Sequence, residues 1–267
     1  ASSAASDVYK RQELMIPVVV LQTIAANLGS MLTPIGNPQN LYLYGLAGTG
    51  IGEFIMWLLP YTIASALLLV ISILLIKNKN EIICIEDTDS EAAHNTSVPR
   101  VMAYSVLFIL ALLVVARVLT WYILAAAVLI TVLLLEKNVL AKADYALLLT
   151  FIGFFIFTGN MGRVESVAHF LAGIVKGREL EAGIITSQCI SNVPAALLLS
   201  EFTDNIKNLA IGVNIGGLGT LIASMASLIS YKLYANEVPE KKGKYFAVFT
   251  VYNIIFLVVL YVFTKLI

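Results

Sequence analysis

The sequence has few charged residues, two histidines and two cysteines, and these shortages exclude several classes of protein. Of its 267 residues 13% are charged and 59% are apolar, whereas a soluble domain has roughly 25% charged residues. The net charge is zero, which disfavours nucleic acid as a partner. Cys84 and Cys189 lie far apart without a paired motif, so neither a disulfide framework nor a zinc site is expected. The composition indicates a membrane protein.

Long apolar stretches predict several membrane-spanning helices. A helix needs about 20 apolar residues to cross a bilayer, and residues 51–76, 142–162 and 244–267 meet that length. Residues 101–135 carry a single charge, Arg117, and are long enough for two helices that turn near it. The expected fold is therefore an all-α polytopic membrane protein.

Two polar stretches set the expected domain boundaries. Residues 1–12 have no apolar periodicity and no signal-peptide core, so we interpret them as a non-native scar. Residues 77–99 are acidic and form the expected cytoplasmic linker. The first half is then 13–76, and the second half is 100–267 with a re-entrant hairpin near 180–202.

An internal repeat emerges when the chain is compared with itself at an offset of 187 residues, which aligns 25–44 with 212–231. Six positions are identical, and four of them are Asn, Gly, Thr or Tyr, whereas chance agreement between apolar helices falls mostly on aliphatic residues. The identical pairs are Asn27 and Asn214, Gly29 and Gly216, Thr33 and Thr220, Ile35 and Ile222, Leu41 and Leu228, and Tyr44 and Tyr231. The predicted number of crossings between the copies is odd, so we expect an inverted-repeat transporter with broken helices.

The first copy is interrupted by residues that break a helix. An unpaired backbone group in hydrocarbon costs several kcal/mol, so the segment 33–38, which contains Pro34, Gly36 and Pro38, must line protein or a wet cavity. Carbonyl, hydroxyl and amide oxygens suit Na⁺, and the corresponding donors suit an anion. The candidate ligands in this copy are Asn27, Ser30, Thr33, Gly36, Asn37 and Asn40.

The second half contains two further breaks. Ser191-Asn-Val-Pro194 predicts the tip of the hairpin, with Pro194 in the first turn of the second arm and Ser191 or Asn192 as its cap. A proline-kinked core helix is the alternative. A glycine-rich break follows, for which close helix packing is the alternative. Its candidate residues are Asn214, Gly217, Gly219 and Thr220.

Charges predict orientation and exclude one mechanism. Ionisable side chains are missing from the middle of every predicted span, so no carboxylate proton relay is expected. Nine basic residues fall on the side of the 77–99 linker and six on the other side. Because basic residues are enriched in cytoplasmic loops, this count predicts a cytoplasmic linker and an external C-terminus.

The chain resembles the ion transporter superfamily over residues 14–267, and specifically its citrate transporter-like permeases, which include arsenite permeases and sodium:dicarboxylate symporters. The motifs that carry the resemblance are Asn27 to Asn40, Ser191 to Pro194 and Asn214 to Ser227, in this order. In that family each inverted repeat has a re-entrant hairpin and a broken helix, which together bind Na⁺ and the anion. Val193 stands where the carboxylate symporters have Thr, a form that is closer to the arsenite-permease branch.

The resemblance implies a secondary transporter, and no enzyme, that moves an inorganic or organic anion with a Na⁺ or H⁺ gradient and without a cofactor. The implied binding residues are Ser191, Asn192, Ser30, Thr33, Gly36, Asn37, Asn214, Gly217, Gly219 and Thr220. A Na⁺ site is expected near Asn27, Gly36, Asn192 and Gly219. The expected partners are the anion, the lipid bilayer of the plasma or inner membrane and a second copy of the chain.

Two other functions stay open, a Na⁺/H⁺ antiporter of the same superfamily and a channel built on the half-helix motifs at Asn37-Pro38 and Asn192-Val-Pro194. The second half has residues 142–211 ahead of its glycine-rich core, whereas the first half has about a dozen credible residues there. We therefore expect that the first hairpin is missing, that the chain is an N-terminally truncated part of a longer protein, and that it cannot transport alone.

Overall fold

The computed structural model describes residues 2–76, 98–142, 145–161 and 163–267, and all regular structure in these ranges is helical. This confirms the predicted all-α fold. The α-helices in these ranges are α1 (Ser2–Gly29), α2 (Pro38–Ala47), α3 (Ile51–Leu75), α4 (Val98–Val115), α5 (Trp121–Leu135), α6 (Lys137–Lys142), α7 (Tyr145–Met161), α8 (Glu165–Val175), α9 (Glu179–Ile190), α10 (Asn192–Ser200), α11 (Ile206–Ile215), α12 (Met225–Glu237) and α13 (Lys242–Thr264). Most of the predicted linker, residues 77–97, lies outside the described residues.

Several helices are long and apolar enough to cross a membrane. The candidate spans are Leu14–Leu32, Ile51–Leu75, Val98–Val115 and Pro239–Thr264. Their exposed side chains are largely Leu, Ile, Val and Phe, a surface too apolar to face water over its whole length. The chain is therefore a polytopic membrane protein. Helix α1 begins at Ser2, and the non-native origin predicted for the first residues stays a prediction.

The chain divides into two compact units, of which the smaller comprises residues 82–152. Its helices α4 and α5 are joined by a short turn in which Arg117 has a φ of 60°. This confirms the prediction of two helices that turn near Arg117. Arg100 of α4 pairs with Glu136, which directly follows α5, at 3.5 Å.

The larger unit comprises residues 1–81 and 153–267 and contains both breaks and the hairpin. Buried aliphatic side chains pack α10 against α2 of the first repeat copy and α11 of the second. The members of this cluster include Leu43, Ala195, Ala196, Leu199, Leu209, Ala210 and Val213. Because apolar burial contributes about 25 cal/mol per Å², this cluster fixes the hairpin against both copies.

The two repeat copies break and restart at equivalent positions. Helix α1 ends at Gly29, and Gly216 directly follows the last residue of α11. The first break comprises residues 30–37 and ends where α2 begins at Pro38. The second break comprises residues 216–224 and ends where α12 begins at Met225. Each pair differs by the same 187 residues that align the sequences. The prediction of broken helices is confirmed.

The restarts are also capped in the same way. The Asn37 side chain accepts a hydrogen bond from the backbone N–H of Asn40, and the Ser224 side chain accepts one from the backbone N–H of Ser227. Both pairs again differ by 187 residues. An N-cap satisfies a backbone donor that the helix leaves free. Asn37 caps α2 with an amide oxygen, and Ser224 caps α12 with a hydroxyl oxygen.

The two copies run in opposite directions beside each other. The hydrogen-bonded pairs between them are Thr23 with Ser230, Asn27 with Ser224, and Asn40 with Asn214. Residue numbers rise along the first copy while they fall along the second. An antiparallel arrangement of this kind is the local geometry that an inverted repeat requires.

Helices α9 and α10 form the predicted hairpin. With 12 and 9 residues they are about 18 and 14 Å long, so neither can cross a hydrocarbon core of about 30 Å. Ser191 separates them with φ 75° and ψ 155°. At the base, the carboxylate of Glu179 accepts hydrogen bonds from the Gly177 N–H at 2.9 Å and the Thr203 hydroxyl at 3.0 Å, which joins the start of α9 to the residues after α10.

Candidate functional site

The N-terminus of α10 presents free backbone donors at the hairpin tip. The carbonyl of Ser191 accepts the first hydrogen bond of the helix, from the Ala195 N–H at 3.0 Å. The N–H groups of Asn192 and Val193 have no acceptor in the part of the chain that the structure describes. Free donors at a helix N-terminus, together with the helix dipole, favour an anion.

The predicted side-chain cap at the tip is wrong. Ser191 occupies the N-cap position, but its hydroxyl makes no capping hydrogen bond. Its positive φ turns the side chain toward the second break, where the hydroxyl donates to the Ala223 carbonyl at 3.5 Å. The free N–H groups of α10 are therefore left for another acceptor.

The Asn192 side chain is buried and unpartnered beside this helix end. It is 5% exposed and has no hydrogen bond to any residue that the structure describes. Its Nδ2 lies 2.9 Å from the position that a Cβ at Gly217 would occupy, so a larger residue at Gly217 would displace the amide. The hydrogen-bonding groups of this amide are therefore available to a ligand.

The first repeat copy reaches the same place through Asn27. Its Nδ2 donates to the Gly217 carbonyl at 3.1 Å and to the Ser224 hydroxyl at 2.7 Å. Asn27 and Asn192 therefore approach Gly217 from two different elements. The structure brings together the predicted site residues of the hairpin, the first copy and the second copy at this glycine.

A network of hydrogen bonds between asparagine side chains joins the two breaks. Asn37 Nδ2 donates to Asn214 Oδ1 at 3.1 Å and to the Ser30 hydroxyl at 3.4 Å. Asn214 Nδ2 in turn donates to Asn40 Oδ1 at 2.6 Å, and Asn40 Nδ2 donates to the Met31 carbonyl at 2.7 Å. Asn40 and Asn214 are almost fully buried. The hydrogen bonds of Asn214 with Asn37 and Asn40 fix the two breaks relative to each other.

Gly36 and Thr33 shape the first break. A Cβ at Gly36 would overlap the Ser30 carbonyl, so the chain can approach itself here only at glycine. The Thr33 carbonyl accepts from the Gly36 N–H at 3.2 Å and from Asn40 Nδ2 at 3.3 Å. Among the described residues, the Thr33 hydroxyl has no hydrogen-bond partner, and it remains available to a ligand.

Gln188 is a site residue that the sequence analysis missed. It lies on α9 one turn before the tip, and its Nε2 donates to the carbonyls of Gly216 and Leu218 at 2.8 and 2.9 Å. Its Oε1 accepts from the Thr220 N–H at 2.9 Å, and its carbonyl accepts from the Thr220 hydroxyl at 3.1 Å. Gly219 has a φ of 106°, and a Cβ there would overlap Gln188 Oε1. The sequence signal was a single long amide in residues 182–190, which are otherwise small or apolar.

The candidate residues form a neutral, hydrogen-bonding site. None of them is ionisable, and the described residues contain no group of three His, Cys, Asp or Glu that could hold a metal ion. One charged pair of the hairpin lies outside these candidate residues, where Lys265 donates to Glu181 at the start of α9. That hydrogen bond lowers the pKa of Glu181 and raises the pKa of Lys265.

A citrate transporter family model matches residues 3–208 of the chain. The chain belongs to the citrate transporter family. This membership confirms the resemblance to citrate transporter-like permeases that the sequence motifs indicated.

Two relatives of this family member are longer proteins. An uncharacterized transporter of Methanocaldococcus jannaschii is 36% identical over 250 residues, which cover 93% of this chain and 66% of the relative. The inner membrane protein YbiR of Escherichia coli is 31% identical over 240 residues, which cover 83% of this chain and 60% of the relative. The chain thus spans somewhat less than two thirds of the length of the curated relatives it matches.

Proposed function

We propose that this protein is a secondary transporter that binds a small anion at the N-terminus of α10. One observation carries the proposal. The backbone N–H groups of Asn192 and Val193 and the buried side-chain amide of Asn192 have no partners among the described residues. Three donors at one buried point, at the positive end of a helix, form a complementary surface for an anion.

The proposed substrate class is a small carboxylate or inorganic oxyanion. Family membership supports a citrate-like anion, and the hairpin tip supports a small one, because Val193 offers no hydroxyl and is itself buried. No Lys or Arg is among the candidate site residues in the described part of the chain, and we propose that the helix dipole and a co-transported cation neutralise the charge of the anion. Neutralisation by a co-transported cation favours coupled transport over free diffusion through a channel.

The proposed driving force is a Na⁺ or H⁺ gradient. The first break supplies hard oxygen groups, including the unpartnered Thr33 hydroxyl, which suit Na⁺ or a proton-carrying water. Binding the cation and the anion together would keep the loaded site close to neutral. The activity needs no cofactor and no enzymatic step.

The proposed location is the plasma or inner membrane, with the C-terminus outside and a second copy of the chain as a partner. The excess of basic residues on the linker side supports this orientation. A reporter enzyme that is active only outside the cytoplasm, fused after Ile267 of the full-length protein, is expected to be active. An inactive but expressed reporter would reverse the orientation.

Uptake by the full-length protein in proteoliposomes tests the function. We would compare citrate, succinate, arsenite and sulfate, each with a Na⁺ gradient, a pH gradient or neither. At least one anion is expected to accumulate only when a gradient is present. Uptake that equilibrates without a gradient would indicate a channel, and Na⁺ flux that is independent of every anion would indicate an antiporter.

The Asn192→Ala variant tests the site. Because this side chain has no hydrogen bond to lose within the described residues, the variant is expected to keep the melting temperature of the wild type and to lose coupled uptake. Asn160→Ala, at an exposed position on α7, is the matched control and should transport normally. Normal uptake by Asn192→Ala would remove the hairpin tip from the substrate site.

A further inference from the structure

The second break has an unusual feature in the partners of its backbone carbonyls. Three successive carbonyls, those of Gly216, Gly217 and Leu218, accept hydrogen bonds from side-chain amides. Gln188 supplies the amide for the first and third at 2.8 and 2.9 Å, and Asn27 supplies it for the second at 3.1 Å. The break is therefore lined by carbonyls that are already paired.

Both polar atoms of the Gln188 side chain have hydrogen-bond partners in the second break. Its Nε2 stands at the point where the Gly216 and Leu218 carbonyls converge, and its Oε1 accepts the Thr220 N–H. Gly219 makes room for Oε1 because it has no Cβ and adopts a φ of 106°. A cation that bound both carbonyls would occupy the space that Nε2 fills.

We propose that Gln188 is a positioning residue that replaces a bound cation in the second break. Its amide N–H groups carry partial positive charge to the carbonyls, as a hard cation would. The loop from Gly216 to Thr220 therefore keeps its shape, and keeps Gly217 beside Asn192, without Na⁺ at this break. Any coupling ion therefore binds at the first break and not at the second.

The assignment of the coupling ion to the first break rests on the proposed transport function. The effect of Na⁺ on the stability of the second break can be measured without transport. In wild-type protein the stability of the second break should not respond to Na⁺. When Gln188 is replaced by Ala, the carbonyls of Gly216 and Leu218 and the N–H of Thr220 lose their side-chain partner, as does the Ile184 carbonyl of the same helix, at 3.2 Å. The vacated space is bounded by carbonyl oxygens. The variant should then gain a response to Na⁺ that the wild type lacks.

Melting temperatures of the purified full-length protein in NaCl and in choline chloride test the inference. For the wild type we expect equal values in the two salts, or a Na⁺ response that Thr33→Ala removes, because any Na⁺ site lies in the first break. Gln188→Ala is expected to melt several degrees lower in choline chloride and to recover most of the loss in NaCl. Gln22→Ala, at an exposed position on α1, should match the wild type in both salts.

Two outcomes would overturn the inference. Equal destabilisation of Gln188→Ala in both salts would make Gln188 an ordinary structural tether. A wild-type Na⁺ response that survives Thr33→Ala and disappears in Gln188→Ala would place the native cation in the second break. If Gln188→Ala does not fold, Gln188→Glu replaces it, because its carboxylate joins the two carbonyls in a three-oxygen site that should require Na⁺ for stability.

Uptake assays separate this inference from the transport proposal. If the wild type accumulates an anion, Gln188→Glu is expected to raise the Na⁺ concentration needed for half-maximal uptake, since a second cation must bind. If the wild type accumulates none of the anions tested, the transport proposal fails while the melting temperatures still decide the role of Gln188.

Discussion

Asn27 donates a hydrogen bond to Ser224 at 2.7 Å, and the residues 187 positions away from each of them, Asn214 and Asn37, are also hydrogen-bonded, at 3.1 Å. A contact in which each partner maps onto the other is the signature of a two-fold interface. The two breaks therefore contact each other across a pseudo-two-fold interface, in which equivalent residue pairs form a hydrogen bond on each side. This relationship explains why Asn occurs at both repeat positions, 27 and 214.

A double-mutant cycle on Asn27 and Ser224 tests this interface. Asn27→Ala and Ser224→Ala are each expected to destabilise the protein by about 1 kcal/mol, because each leaves a polar partner without its hydrogen bond. The double variant should cost less than the sum, with a coupling energy of about 0.5 kcal/mol or more. Chemical denaturation in mixed micelles measures these values. Strictly additive losses would show that the two residues are independent.

The sequence revealed the parts of the site that are local. Pro34, Gly36 and Pro38 lie within five residues of one another and together predict an interruption, whereas the single prolines Pro17 and Pro60 lie inside α1 and α3. The repeated Asn, Gly and Thr positions located the second break by comparison with the first. Gln188 and Glu179 could not be found in this way. Gln188 acts on residues 28 to 32 positions away, and its role depends on how α9 packs against α11, which no local pattern encodes.

Gly36→Ala is predicted to disrupt the first break. The added Cβ would overlap the Ser30 carbonyl, so backbone atoms must move, and overpacking of this kind costs about 1–3 kcal/mol. Gly45→Ala is the matched control on the adjacent helix α2, since nothing lies within 4 Å of its Cβ position and Ala is the better helix former. Thermal unfolding should show a lower melting temperature for the first variant and an unchanged or higher one for the second. The reverse order would contradict the geometry of the break.

Glu181 and Lys265 are predicted to give the hairpin a small, pH-dependent anchor to α13. The hydrogen bond from Lys265 lowers the pKa of Glu181, so its stabilising effect is complete above the ordinary pKa of a glutamate, about 4.3, and is lost as the pH falls through the lowered native value. The same pair raises the pKa of Lys265, so its contribution fades only as the pH rises above the ordinary lysine range. The effect is small because the Lys265 side chain is about half exposed and solvent screens the pair.

Melting temperatures between pH 7 and pH 3 check this anchor. The wild type is expected to lose slightly more stability over that range than Glu181→Gln does, and Lys265→Met should follow the Glu181→Gln profile because both remove one ion pair. A wild-type profile identical to both variants would show that the pair contributes nothing to stability.

Ser191→Gly is predicted to stabilise the hairpin and weaken transport. Ser191 adopts φ 75° and ψ 155°, a region that is almost restricted to glycine and costs other residues about 1–3 kcal/mol. Glycine relieves this strain, and the hydroxyl it removes makes only a long contact of 3.5 Å with Ala223, which contributes little.

Ser191→Ala removes the same hydroxyl but keeps the Cβ, so it separates the effect of backbone strain from the effect of the lost hydroxyl. We expect the melting temperature to rise for Ser191→Gly and to stay level for Ser191→Ala, while uptake falls more in the glycine variant because the tip no longer holds Asn192 in one position. A glycine variant that melts below the alanine variant would mean that the backbone at Ser191 is not strained.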